Sequence, residues 1–190
     1  MNRFSENGTP VIGVNAIPMI ELQTRSCQIR FPVKENLGWV IDQVENQGVG
    51  IIDPEAKPEF KLIVPRIPFP IILQVLDLFY REANLIQKEL EVWITLEKGV
   101  WDIYIPEQVN RATRIFDIES FSAEKSIVAI IHSHGIFPAM VSNVDNKFEI
   151  YGFVYGVVGS LFTGKPEIKF RFGWNKEYMP LEVNDVIAIT

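Results

Sequence analysis

The sequence predicts an α+β fold, in which a mixed β-sheet is flanked by a few helices. Apolar side chains recur every four residues from Ile71 to Tyr80, which is the period of one helix face. Between Glu91 and Leu96, side chains follow the two-residue period of a strand. The continuous apolar run "SIVAII", residues 126–131, is typical of a central strand that is buried on both faces. One helix among several strands indicates a sheet protein rather than a helical bundle.

The first 65 residues are predicted to form a small β-rich section. Short apolar runs are separated there by turn residues, as expected for strands and loops: "PVIGVNAI", "QIRFPV", "GVGIID" and "FKLIVP". Pro65, Pro68 and Pro70 then form a stiff connector. We therefore expect a β-rich N-terminal section over residues 1–65 and a second domain over residues 66–190.

The second domain is predicted to open on the helix. Pro70 fits a first helical position, where the N–H that proline lacks would be unpaired, and the helix should run to about Asn84. A β-hairpin follows, with its turn at residues 97–99 and the returning strand "VWDIYIP". After the buried strand, "IYGFVYGVVGSLF" and "PEIKFRFGW" predict two further strands joined by a turn at residues 163–165.

The composition is that of a globular protein and restricts the classes of partner that we expect it to bind. Hydrophobic residues make up 47% and charged residues 22% of the chain, and the net charge is −6. Without a basic run, neither nucleic acid nor an anionic membrane is an expected partner. Cys27 is the only cysteine, which excludes an intrachain disulfide and fits a reducing compartment. No apolar segment follows a basic N-terminus, so we expect no secretory signal and a cytoplasmic protein; the oligomeric state stays open.

Both histidines of the chain lie one residue apart at the end of the predicted central strand, as His132 and His134. Residues two apart in a strand point to the same side, so both imidazoles can face one ion. Ser142 and Asp145 follow three residues apart, and a helical turn would place them on one face and return Asp145 towards the histidines. Two histidines and a carboxylate leave one tetrahedral position open, the arrangement of catalytic zinc sites.

Each half of this pattern has a simpler interpretation by itself. An isolated His-x-His is more often a surface or core feature, and Ser-x-x-Asp is more often a helix cap or a turn. The zinc hypothesis depends on their combination. Glu149, four residues after Asp145, has two interpretations, a hydrogen bond near the site and a solvated helix end, of which the solvated helix end is favoured.

The combined spacing resembles the signature of the JAMM metalloproteases, also called the JAB or MPN domain. That signature reads His-Ser/Thr-His, seven residues, Ser, two residues, Asp, and it matches residues 132–145. The resemblance covers about residues 66–180, because the helix, the hairpin, the histidine strand and the trailing strands occur in the family's order. The sequence of this segment, "HSHGIFPAMVSNVDNKFE", is most similar to the prokaryotic branch of the family. The resemblance implies a cytidine-deaminase-like mixed sheet flanked by helices.

The resemblance also implies a role for the residues of the motif. His132, His134 and Asp145 would bind Zn²⁺, and Ser142 would donate a hydrogen bond to the oxyanion. A glutamate on the first core strand would be the general base for a water activated by the ion.

Two glutamates are candidates for the general base. Glu91 opens the alternating strand, as the family requires, and Glu89 precedes it by two residues, so an extended chain would aim both to the same side. We favour Glu91. Val92, Trp93 and Ile94 stand where eukaryotic members commonly carry glycines, which leaves the register of this strand open.

The family hydrolyses peptide or isopeptide bonds after the C-terminal tail of ubiquitin or a ubiquitin-like protein. The expected function is therefore a zinc-dependent isopeptidase or peptidase, with a ubiquitin-like conjugate as substrate and activating-enzyme-like proteins as partners. The alternative is a non-catalytic MPN-type scaffold, although such members typically lack one of these residues. Barrel metallohydrolases also begin a metal site with His-x-His, but they need about 250 residues and further histidines.

Overall fold

Strands dominate the part of the chain that the computed structural model describes. The described residues are 18–23, 27–32, 50–51, 59–86, 89–108, 126–149, 152–174 and 176–189. The chain divides into two compact units, one of residues 1–23 with 28–61 and the other of residues 24–27 with 62–190. The α+β prediction is confirmed at this level, since most described elements are strands and only a few are helices.

The first unit contains a four-stranded sheet in the order β3-β1-β2-β4, except for the terminal residues Cys27 and Leu62, which are grouped with the second unit. Its strands are β1 (Pro18–Gln23), β2 (Cys27–Pro32), β3 (Gly50–Ile51) and β4 (Glu59–Leu62). Three of the predicted runs overlap β2, β3 and β4, whereas β1 was not predicted. The fourth run, residues 10–17, lies outside the described residues.

The second unit is built on a six-stranded sheet in the order β11-β10-β9-β8-β6-β7. Only β8 and β9 are parallel among its neighbouring strands, so the sheet is mixed. A separate parallel pair joins β5 to β12. The bounds are β5 (Ile67–Pro68), β6 (Glu91–Glu97), β7 (Val100–Tyr104), β8 (Ile127–Ser133), β9 (Phe153–Gly159), β10 (Glu167–Trp174), β11 (Glu177–Leu181) and β12 (Ile187–Ala188).

The described helices are short except for the first. They are α1 (Phe69–Ile86), α2 (Asp145–Phe148) and α3 (Val183–Val186), with a 3-10 turn at Leu161–Thr163. Helix α1 begins one residue before the predicted Pro70 and buries Ile72, Val75 and Phe79, the stripe expected of an amphipathic helix. Within the described part of the chain, no helix is both long enough and apolar enough to cross a membrane.

The core of the second unit lies along β6 and β8. All seven residues of β8 are buried, as the apolar run predicted, and so are the first five of β6. Trp93 of β6 packs with Ile127, Ile130 and Tyr155. After the last residue of β6, Lys98 and Gly99 form the two-residue turn of the hairpin with β7. Both residues have positive φ, and a turn of this kind matches the twist of the strands.

The segment that follows β8 is seated on the end of β9 by backbone hydrogen bonds. The Ser160 amide donates to the Phe137 carbonyl (2.7 Å), and the Leu161 amide donates to the Gly135 carbonyl (3.0 Å). Gly159 makes this approach feasible, because a Cβ atom there would overlap the backbone of residues 137–139.

We expect Gly159→Ala to lower the free energy of unfolding by about 3 kcal/mol or more, because rigid backbone rather than a movable side chain fills the space. Gly156→Ala is the matched control, since its Cβ would meet the Phe170 ring at 2.8 Å and side chains can shift. Urea unfolding of both variants measures the difference. Equal costs at the two positions would contradict this packing argument.

Candidate metal centre

The end of β8 delivers both histidines to one place. His132 is the sixth residue of β8 and is buried, and His134 follows the strand directly and is partly exposed. Their Nε2 atoms lie 3.1 Å apart. The His134 amide donates to the Val158 carbonyl (2.7 Å), which keeps the strand direction one residue beyond β8. The same-side orientation expected from the two-residue strand period is what the structure shows.

Asp145 reaches the histidines from the first residue of α2. Its side chain is fully buried, with Oδ1 3.6 Å from His132 Nε2 and Oδ2 3.8 Å from His134 Nε2. Ser142 holds this turn from both sides, because the Ser142 amide donates to Asp145 Oδ2 and Ser142 Oγ accepts from the Asp145 amide (3.2 Å). The predicted helical turn therefore brings Asp145 to the histidines.

The spacing of the donor atoms fits a small tetrahedral ion. Zinc bonds of about 2.0–2.1 Å to nitrogen and oxygen place tetrahedral ligand atoms about 3.3 Å apart. The two Nε2 atoms are 3.1 Å apart, close to that value, and each lies 3.6–3.8 Å from a different oxygen of Asp145. One ligand atom from each residue lies within 4.8 Å of the others. A cation between them would also offset the cost of burying the Asp145 carboxylate. The number, type and spacing of these residues thus fit a metal ion.

Glu91 lies beside this cluster on the neighbouring strand. Strands β6 and β8 are antiparallel, and Glu91 pairs directly with His132. Residues directly opposite each other share one face of the sheet. Glu91 is buried, and its Oε1 accepts a hydrogen bond from Trp93 Nε1 (2.7 Å). Glu89 precedes the first residue of β6 and is exposed, so the geometry favours Glu91 of the two candidates.

Gln108 fixes the backbone of Glu91. Its Oε1 accepts from the Glu91 amide, and its Nε2 donates to the Glu91 carbonyl, both at 2.9 Å. Sequence reasoning gave Gln108 no role, because a glutamine 17 residues away carries no local signal of this contact. The only available indication was the "PEQ" that follows the predicted hairpin.

Glu149 is not the solvated helix end that the sequence suggested. Its exposed fraction is 2%, and its Oε2 accepts a hydrogen bond from Arg171 Nε (2.6 Å). The solvated interpretation was wrong because it used the local pattern alone, whereas Arg171 arrives from β10.

Comparisons with known proteins show no family for this chain. No known protein-family profile matches it, and no curated protein matches it. Among solved structures, a protein of Desulfitobacterium hafniense is similar with a TM-score of 0.44 and 14% identity, over 62% of this chain and 89% of that one. A protein of Salinibacter ruber is similar with a TM-score of 0.40 and 17% identity, over 64% and 90%. At these TM-scores neither structure bears on the function of this chain.

We expect Gln108→Ala to lower the free energy of unfolding by about 1–2 kcal/mol, because two hydrogen bonds to a buried strand end are lost. Hydrogen exchange at the Glu91 amide should become faster than in the parent. Glu107→Ala, at the exposed preceding residue, is the control. Unchanged protection of the Glu91 amide in Gln108→Ala would show that the amide pair does not hold the strand end.

Proposed function

We propose that this chain is a zinc-dependent isopeptidase or peptidase of the JAMM/MPN type. It would hydrolyse the bond after the C-terminal tail of a ubiquitin-like protein. The observation that carries the proposal is the convergence of His132, His134 and Asp145, with Glu91 paired to His132 on the next strand. The motif spacing supports the family. The sequence around the motif is most similar to the prokaryotic branch of the family, and within that branch to PRTRC system protein A.

Each residue of the cluster has a task that its position allows. His132, His134 and Asp145 would hold the ion. Bound zinc supplies a Lewis acid and brings the pKa of a coordinated water to about 7. Glu91 would accept a proton from the attacking water and pass it to the leaving amine.

Ser142 would assist as the scissile carbonyl becomes tetrahedral. Its Oγ accepts a hydrogen bond from the Asp145 amide through a lone pair. That bond does not use the hydroxyl proton, which Ser142 would donate to the oxyanion.

The surroundings of the cluster suit a polypeptide substrate. Among the strands that the structure describes, β7 is at one edge of the six-stranded sheet, next to the strand that begins at Glu91. An extended tail would add to that edge through backbone hydrogen bonds. The segment between His134 and Asp145 also exposes large apolar side chains, including Ile136, Phe137 and Met140. Exposed apolar groups grouped in this way are typical of interaction sites. Activating-enzyme-like proteins are the proposed partners, and the cytoplasm is the proposed location.

Purified parent protein should contain close to one zinc per chain, and Asp145→Ala and His134→Ala should lose it. Removing a partner of a ligand typically weakens metal binding 10–100-fold, so removing a ligand itself should cost more than about 100-fold. Elemental analysis after dialysis measures the zinc content. Asp77→Ala is the matched control, because Asp77 is exposed and forms an ion pair with Arg81 within α1. If the parent protein binds no zinc after supplementation at neutral pH, the proposal is contradicted.

Glu91→Gln should keep zinc and lose turnover by about 10²–10⁴-fold, because the amide cannot act as a base. The assay follows release of the C-terminal partner from fusions of ubiquitin-like proteins. Glu89→Gln is the control and should stay active, since Glu89 is exposed. The opposite result, with Glu89→Gln inactive and Glu91→Gln active, would move the general base to Glu89. A zinc-loaded parent that binds these fusions but cleaves none would favour the non-catalytic scaffold.

A further inference from the structure

A buried group of charged side chains lies behind His132, on the side away from Asp145. Glu149 Oε1 is 4.0 Å from His132 Nδ1, while Glu149 Oε2 accepts from Arg171 Nε at 2.6 Å. The exposed fractions of the His132 and Glu149 side chains are both 2%. The two nitrogens of His132 therefore face different groups, with Nε2 towards His134 and Asp145 and Nδ1 towards Glu149.

This division of the two nitrogens fixes what Glu149 can do. An imidazole that binds a metal through Nε2 carries its proton on Nδ1, and a carboxylate or carbonyl normally accepts that proton. At 4.0 Å the contact is an ion-pair distance, and a closure of about 1 Å would bring it into hydrogen-bond range.

Arg171 holds the Glu149 carboxylate in a fixed position and ties it to α2. Besides the bond from Nε to Glu149, Arg171 Nη1 donates to Asn146 Oδ1 (2.8 Å). Tyr178 packs beneath the guanidinium at 4.0 Å, and its hydroxyl donates to the Asn146 carbonyl (2.7 Å). Burial raises the pKa of the Tyr178 phenol, so the hydroxyl stays protonated at neutral pH. Gly173 lets β10 approach, because a Cβ there would lie 2.8 Å from the Glu149 carbonyl oxygen.

We infer that Glu149 is a positioning residue for the metal centre, accepting the Nδ1 proton of His132, and that Arg171 aligns it. The inference rests on the proposed function only in that it requires the three residues to bind zinc. It assigns Glu149 no contact with substrate. Its effect is to hold one tautomer and one ring orientation of His132 and so to raise the affinity for the ion.

The test is the zinc affinity of Glu149→Gln, measured by competition with a chelator of known affinity. We expect the dissociation constant for zinc to rise about 10–100-fold, the range seen when partners of ligating histidines are removed. Glu167→Gln is the matched control, since it makes the same substitution at an exposed position of β10 and should leave the affinity unchanged. Circular dichroism of the metal-free proteins verifies that both variants fold.

A second readout separates positioning from mere structural support. The chain has only two histidines, so long-range ¹H–¹⁵N spectra of their side chains can be assigned directly. In the zinc-loaded parent, His132 should show a protonated Nδ1 and a metal-bound Nε2. In Glu149→Gln the His132 Nδ1 proton should exchange faster with solvent, whereas the His134 signals should change little.

Arg171→Lys decides the case in which Glu149→Gln does not fold. Lysine keeps the positive charge but loses the planar fork that bonds Glu149 and Asn146 together, so zinc affinity should fall severalfold. If Glu149→Gln folds and has the zinc affinity of the parent, the inference is overturned. If Glu149→Gln does not fold, an Arg171→Lys variant with the zinc affinity of the parent overturns it. Failure of the proposed function is distinguishable, because then the parent itself binds no zinc.

Discussion

The register between β6 and β8 is the constraint on which the candidate centre depends. Side chains alternate along a strand, so a slip of one residue would turn Glu91 to the face away from His132. Ser133 locks this register at the strand end, because its amide donates to the Leu90 carbonyl (2.9 Å) and its Oγ accepts from the Leu90 amide (3.0 Å). The serine between the two histidines thus has a structural task on the opposite face of β8. It aligns the strand that carries the proposed base with the strand that carries the proposed ligands.

Burying the charged side chains of the candidate centre costs free energy, so the fold depends on the groups that hydrogen-bond to them. Glu91, His132, Asp145 and Glu149 all have exposed fractions of 2% or less. Removing charged groups from water destabilises a fold unless hydrogen bonds or opposite charges compensate. Trp93 and Arg171 supply such partners to two of the carboxylates, and Ser142 supplies one to a third. A cation held by the histidines would add positive charge beside Asp145 and would then link the stability of this region to metal binding.

The features that sequence predicted are those that local periodicity determines. The period of α1, the apolar run of β8 and the hairpin turn predicted at residues 97–99 each reflect neighbouring residues. The same holds for the facing of His132 and His134, which follows from the two-residue period of any strand. Glu149 and Gln108 were misjudged or missed because their partners arrive from other strands, 22 and 17 residues away. A buried glutamate and a solvated one have the same local sequence pattern, and only the tertiary neighbours distinguish them.

The segment between His134 and Asp145 is fastened by its backbone and not by its outer side chains. Hydrogen bonds from the amides of Ser160 and Leu161 hold the segment against the end of β9, and the absent side chain of Gly159 permits that approach. Ile136, Phe137 and Met140 meanwhile keep exposed fractions of 60–66%. Because these side chains point to solvent rather than to the proposed ligands, substitutions among them should leave the candidate metal centre in place. In a hydrolase of the proposed kind, metal binding and substrate preference would therefore be separable within one short connection between two ligands.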